Sequence, residues 1–175
     1  GWEGWATDEV ASTFLNNPFM NNTCRIAAGH LGTLLAKRRP HWDFSKAKLE
    51  EVGLQALWLI CDSNMKIREL NLKANAVGTK PEDGFGLAKM LTTSTSLIQL
   101  NLPTNCLGEL KGYIRTFGRG LAANKTLTQL DVSSNRLLPD GIKVVANALR
   151  TCTAMRDLDL SFNSPGREPA LAGML

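Results

Sequence analysis

The chain has 175 residues, 43% of them hydrophobic and 21% charged, with a net charge of +4. That length suits one domain or a stretch of a longer array, and the composition is that of an ordinary soluble globular protein. The longest apolar run, ALWLIC at 56–61, excludes a spanning helix, and a charge this mild does not by itself imply nucleic acid.

No basic segment followed by an apolar one opens the sequence as a secretory signal would. Cys24, Cys61, Cys106 and Cys152 form no CxxC pair and no disulfide-like spacing, so they read as reduced thiols of an intracellular, cytoplasmic protein. The sequons Asn21–Thr23 and Asn124–Thr126 mean little without a secretory route. The first residue is not Met, which suggests a processed or excised piece.

Residues 1–40 are expected to form a helical N-terminal cap. TDEVASTFL reads as a short helix with Thr7 as N-cap and Val10 and Phe14 on one face. NNPFMNN is a loop signal, and a second helix over about 23–38 carries Ile26, Leu31, Leu34 and Leu35. Trp2 and Trp5 either anchor this cap or lie exposed on a tail. KRRP at 37–40 reads as a basic helix end that complements the dipole, ahead of a localisation or anion site.

From residue 41 the chain repeats. IRELNLKAN, LIQLNLPTN, LTQLDVSSN and MRDLDLSFN share the frame apolar-x-x-apolar-x-apolar-x-x-Asn. Their closing asparagines, Asn75, Asn105, Asn135 and Asn163, are spaced 30, 30 and 28 residues apart. A degenerate unit, HWDFSKAKL at 41–49, precedes them, with Trp42 and Phe44 inward and Ala47 where the asparagine belongs. Between the frames the apolar spacing becomes helical: Leu57 and Cys61, Leu87 and Leu91, Phe117 and Leu121, Val145 and Leu149 lie four apart. One unit is a short strand, a loop and a helix. It cannot bury its own apolar side and must stack on its neighbours.

About four such units plus a truncated C-terminal helix fill 41–175. That last helix, EPALAGML, has Pro169 as a first-turn proline and no strand or polar cap after it, so the chain is expected to be a fragment of a longer protein.

LIQLNLPTNCL, in units of 28 to 30 residues each with a full helix, resembles the ribonuclease-inhibitor class of leucine-rich-repeat proteins. The resemblance covers about residues 41–175. It implies an α/β solenoid, a right-handed β-α superhelix bent into a horseshoe arc, with a parallel sheet on the concave side and helices on the convex side. Successive identical strand-helix units independently give parallel strands. The asparagines fit as structural residues: after each strand the chain turns inward, and a buried amide can bond the backbone groups of its own and the adjacent turn.

Catalytic and metal constellations are absent from the pattern. His30 and His41 are the only histidines, with no HExxH and no zinc spacing. GRGLAA at 118–123 matches the loose dinucleotide motif, but that chemistry needs a loop between strand and helix, and here the motif aligns with helix interiors. Cys61 shares a core column with leucines, and Cys106 is the cysteine expected to be exposed. No catalytic residue, metal or cofactor is expected.

Alternation makes the outward strand positions readable. One row is His41, Glu69, Gln99, Gln129 and Asp157; the next is Asp43, Asn71, Asn101, Asp131 and Asp159; the third is Ser45, Lys73, Pro103, Ser133 and Ser161. These positions hold five acids and one lysine, so a positively charged chain presents an acidic, amide-rich inner face. Adjacent like charges about 5 Å apart repel modestly, and a basic partner would relieve them. Basic residues fall on the helix side, where Lys111, Tyr113, Arg115 and Arg119 make only a thin case for a nucleic-acid platform.

The expectation is therefore a non-enzymatic scaffold presenting this face to a protein partner of basic character, with neither nucleic acid nor membrane involved and the oligomeric state open. Three alternatives accompany it. AKMLTTSTSLIQLNLPTN also resembles the tropomodulin repeat domain, which implies regulation of actin pointed ends, although no tropomyosin-binding segment is visible. A GTPase-activating protein of the RanGAP kind shares the repeat and uses a loop arginine, for which Arg136 is the nominee. The sensor region of a nucleotide-binding immune-type receptor is the third.

Overall fold

A computed structural model describes residues 40–49, 53–55, 57, 58, 61 and 66–164. The expected cap helices, Trp2, Trp5, Cys24 and His30, and the closing helix after Pro169 lie outside the described residues.

The elements run β1 (His41–Asp43), β2 (Glu69–Asn71), α1 (Pro81–Thr93), β3 (Gln99–Asn101), α2 (Lys111–Ala123), β4 (Gln129–Asp131), α3 (Pro139–Leu149) and β5 (Asp157–Asp159). Residues 53–55, 57, 58 and 61, between β1 and β2, are helical as well. The strands form one five-stranded sheet in the order β1-β2-β3-β4-β5. Every pairing is parallel, because each helix returns the chain to start its next strand in the same direction. This is the repeating β-α solenoid with a parallel sheet that the sequence implies.

Apolar columns stack between sheet and helices. Trp42, Leu70, Leu100 and Leu130 form one; Phe44, Leu72, Leu102 and Val132 form the next, and all are buried. Each buried leucine contributes roughly 1.5–3 kcal/mol. At β1 the two leucine positions hold Trp42 and Phe44, whose rings meet edge to face at 6.2 Å and 81°. At the other end Leu158 and Leu160 are only partly buried, since no further strand packs beside β5 among the described residues.

Each strand is three residues long, shorter than the alternating frame suggests, because the backbone then turns while staying bonded to its neighbour. The N–H groups of Lys46, Ala74, Thr104 and Ser134 donate to the carbonyls of Lys73, Pro103, Ser133 and Ser161 at 2.7–3.0 Å. All four donors, and Phe162 at the same place in the last unit, have φ between 53° and 58°. Non-glycine residues seldom adopt this left-handed conformation. The inter-unit bond accompanies it in the first four units, and Phe162 keeps it with no such bond among the described residues, so the turn itself carries the conformation.

The helices pack with small residues between them. A Cβ added to Gly120 of α2 would lie 2.7 Å from the Ala88 Cα and 2.8 Å from its carbonyl oxygen on α1. One at Gly118 would meet Val144 Cγ1 of α3 at 2.4 Å. The glycines of GRGLAA therefore sit inside a helix and serve close helix-helix approach.

Candidate interaction surface

Two hydrogen-bonding systems close each turn. In the buried one, Asn105 Oδ1 accepts the N–H groups of Asn75 and Val77, both at 3.0 Å. Its Nδ2 donates to the carbonyls of Leu72 at 3.0 Å and Leu102 at 2.9 Å. The pattern recurs: Asn75 Oδ1 accepts from Leu49 N–H and its Nδ2 donates to the Phe44 carbonyl. Asn135 bonds the Leu107 N–H and the Leu102 carbonyl. Asn163 bonds the N–H groups of Asn135 and Leu137 and the Val132 carbonyl. Each amide thus serves chiefly the turn of the unit before it. That direction fits Ala47: among the described residues no earlier repeat turn is there for an amide to serve, and the Ala47 N–H closes locally on the Phe44 carbonyl at 3.1 Å.

The second system lies on the outer face of the sheet. The register brings His41, Glu69, Gln99, Gln129 and Asp157 into one row and Asp43, Asn71, Asn101, Asp131 and Asp159 into the next. In the second row Oδ1 of Asp43, Asn71, Asp131 and Asp159 accepts the N–H two residues on, from Ser45, Lys73, Ser133 and Ser161, at 2.8–3.1 Å. These are Asx turns that stop the strand. Asn101 differs because Pro103 has no N–H to offer, and its Oδ1 accepts from Gln99 Nε2 at 3.3 Å. Part of the acidic and amide composition of this face thus has a local backbone reason, legible as Asp or Asn followed two residues later by a donor.

In the first row His41 Nδ1 lies 2.7 Å from Glu69 Oε2, and Gln129 Nε2 donates to Asp157 Oδ2 at 3.2 Å. Toward β5 the surface forms an open concavity of about 550 Å³, lined by Asn101, Gln129, Asp131, Arg156, Asp157 and Asp159 with Leu130 and Leu158 at its floor. In the third row Lys73 and Ser161 are exposed, whereas Ser133 is buried.

Hydrogen bonds from the Ser161 hydroxyl and N–H hold the Asp159 carboxyl below the usual carboxylate range. A folded-state value lowered in this way stabilises the fold above the unfolded value and is lost as pH falls through the folded one. A carboxyl-carbon NMR titration is therefore expected to place Asp159 below an ordinary aspartate, and Ser161→Ala to return it toward the usual range.

Arg136 stands in the turn after β4 with φ 53° and its guanidinium paired with Glu109. Cys106 is half-buried beside them. Burial, then the Glu109 carboxylate, push its thiol up more strongly than Arg136 pulls it down. Cys61 and Cys152 are buried thiols. Asn124, met in the sequence only as a sequon, is 1% exposed: its Nδ2 donates to the Leu91 carbonyl at 2.7 Å and its Oδ1 accepts Leu127 N–H at 2.7 Å. It closes the helix-to-strand turn, as the Ser94 hydroxyl oxygen does by accepting Leu97 N–H at 3.1 Å. The buried, bonded amide is no glycan acceptor. Among the described residues no group of three or more His, Cys, Asp or Glu could hold a metal ion, and no helix is long and apolar enough to cross a membrane.

Comparison with known proteins agrees with this geometry. The family model described as "Leucine Rich repeat" matches residues 123–146, which span the end of α2, β4 and most of α3. Over 102 residues the chain is 32% identical to "Leucine-rich repeat-containing protein 45" of Gallus gallus, a match covering 58% of this chain and 15% of that protein. The matched region is thus a small part of that relative's length. A leucine-rich-repeat domain is present in the chain.

Proposed function

We propose that this leucine-rich-repeat domain, of the ribonuclease-inhibitor-like kind, is a cytoplasmic interaction scaffold whose sheet face receives a basic protein partner. The observation that carries the reading is the register of β4 and β5, which sets Asp131 beside Asp159 and Gln129 beside Asp157 in one open concavity. Asp43, Glu69, Asn71, Lys73, Gln99 and Asn101 extend the same face toward β1. A rigid sheet holds these groups in place before binding, so little ordering entropy is lost on association. The mechanism is presentation, and no bond is made or broken.

The Asx turns decide how to test it. Lysine at Asp131 would remove the charge and the turn acceptor together, whereas asparagine keeps Oδ1 and removes only the charge. Exposed ion pairs contribute about 0.2–1 kcal/mol each. Asp131→Asn with Asp159→Asn is expected to weaken capture of a Lys/Arg-rich peptide by roughly three- to tenfold at low ionic strength, with the melting temperature nearly unchanged. Equal affinity in the double variant and the parent would remove the sheet face as the binding surface.

A further inference from the structure

We propose that the opposite side of the solenoid, centred on α2, is a second docking surface, for an acidic segment of a protein partner. Lys111, Arg115 and Arg119 are spaced four apart and all three are exposed, so they form one line along α2. The helix, KGYIRTFGRGLAA, holds no carboxylate. None of the three cations has an ion-pair partner among the described residues. Like charges at this spacing cost a helix about 0.2–0.5 kcal/mol per pair. Lys111 also opens α2 at the end where the dipole favours an anion. No ion pair within the described fold offsets these costs, and an external carboxylate would.

The neighbouring helices continue the surface. In the repeat alignment Lys143 of α3 and Phe85 of α1 occupy the place of Arg115, and Lys89 of α1 that of Arg119. The close approach at Gly120 and Ala88 brings α1 and α2 together, so the rows adjoin. Phe85 is 69% exposed, an apolar anchor beside the cations. Those two features suit an acidic segment carrying an apolar side chain.

Nucleic acid fits less well. Base stacking needs exposed rings, and Tyr113 and Phe117, which interleave with the cations in sequence, are 1% and 0% exposed. A lipid surface fits less well too, because interfacial binding needs an apolar face broader than one phenylalanine.

The test uses a labelled helical peptide of roughly 20 residues, long enough to span about 30 Å, with glutamates four apart and one leucine. A leucine-to-glutamine copy, duplex DNA and phosphatidylserine vesicles are measured beside it by anisotropy or co-sedimentation. Peptide affinity is expected to fall about tenfold or more in Lys111→Glu/Arg115→Glu/Arg119→Glu. It should fall about threefold in Phe85→Ser and about threefold for the glutamine copy. Arg115→Gln/Arg119→Gln supplies a milder variant should the triple reversal fail to fold. Lys46→Glu/Lys66→Glu/Arg68→Glu changes the net charge equally and should leave binding intact, as should Asp131→Asn/Asp159→Asn on the sheet face. Equal loss in that control reversal would overturn the proposal by showing a bulk charge effect. So would DNA or vesicles held as tightly as the peptide.

Discussion

Asn105→Ala is expected to destabilise the domain by about 3 kcal/mol, lowering the melting temperature by roughly 6–12 °C. The side chain is 4% exposed and takes up the N–H groups of Asn75 and Val77 and the carbonyls of Leu72 and Leu102. Alanine leaves these groups in a turn where little water can reach them, and each unsatisfied buried group costs about 1–3 kcal/mol. Relaxation recovers part of the sum. Because three of the four partners belong to the preceding unit, the loss falls on the coupling between units, and unfolding should broaden as the array becomes less cooperative. Asn163→Ala is the comparison. It makes similar bonds from a half-buried position, where water can replace them, so about 1 kcal/mol is expected. Chemical denaturation of both variants checks the order. Equal losses would mean that burial does not set the weight of these amides.

Within α2, alanine at two glycines should act with opposite signs. Alanine is better than glycine in a helix by up to about 1 kcal/mol. At Gly112 an added Cβ meets nothing within 4 Å, so Gly112→Ala should gain about 0.5 kcal/mol, less than the full value because the position lies in the first turn. At Gly120 the same Cβ meets the Ala88 backbone at 2.7–2.8 Å. Backbone cannot rotate away as a side-chain tip can, and overpacking costs about 1–3 kcal/mol. Gly120→Ala should therefore destabilise by about 1–2 kcal/mol net, and Gly120→Val by more. Melting curves of the three variants decide it. A gain at Gly120 would show that α1 and α2 can part without cost.

Much of the architecture is legible in the sequence. The strand frames, their spacing and the four-apart apolar pairs define the unit, and stacking identical units leaves parallel strands as the workable arrangement. Trp42 and Phe44 illustrate how far this reaches: a frame with aromatic residues in place of leucines still pairs in register with β2. The strand ends were less legible. Alternation continues through Leu72 and Lys73, but the ladder gives way to a turn built on a left-handed residue, and nothing about Ala74 or Thr104 as residue types announces φ near 56°. In the first four units bonds to the next unit accompany that conformation, which runs against local preference.

The candidate surface divides in the same way. Which side chains face outward in the first two rows follows from the period of two, and the sequence by itself determined those rows and their acidic character, while Ser133 of the third row is buried. The turn role of the second row is legible too, as Asp or Asn followed two residues on by an N–H donor, whereas only the tertiary structure decided which amides work in the interior. Asp43, Asn71, Asp131 and Asp159 spend one oxygen on their own turns, Asn101 is released from that role by Pro103, and Asn124 works in the interior. The cationic line on α2 was likewise visible as spacing, and Phe117 as a core position, while the burial of Tyr113 beside it was not. The physical reason is common to all of these. Periodicity and residue type are local and survive in one dimension, whereas the partner of a polar group and the space around a glycine depend on the unit stacked against it.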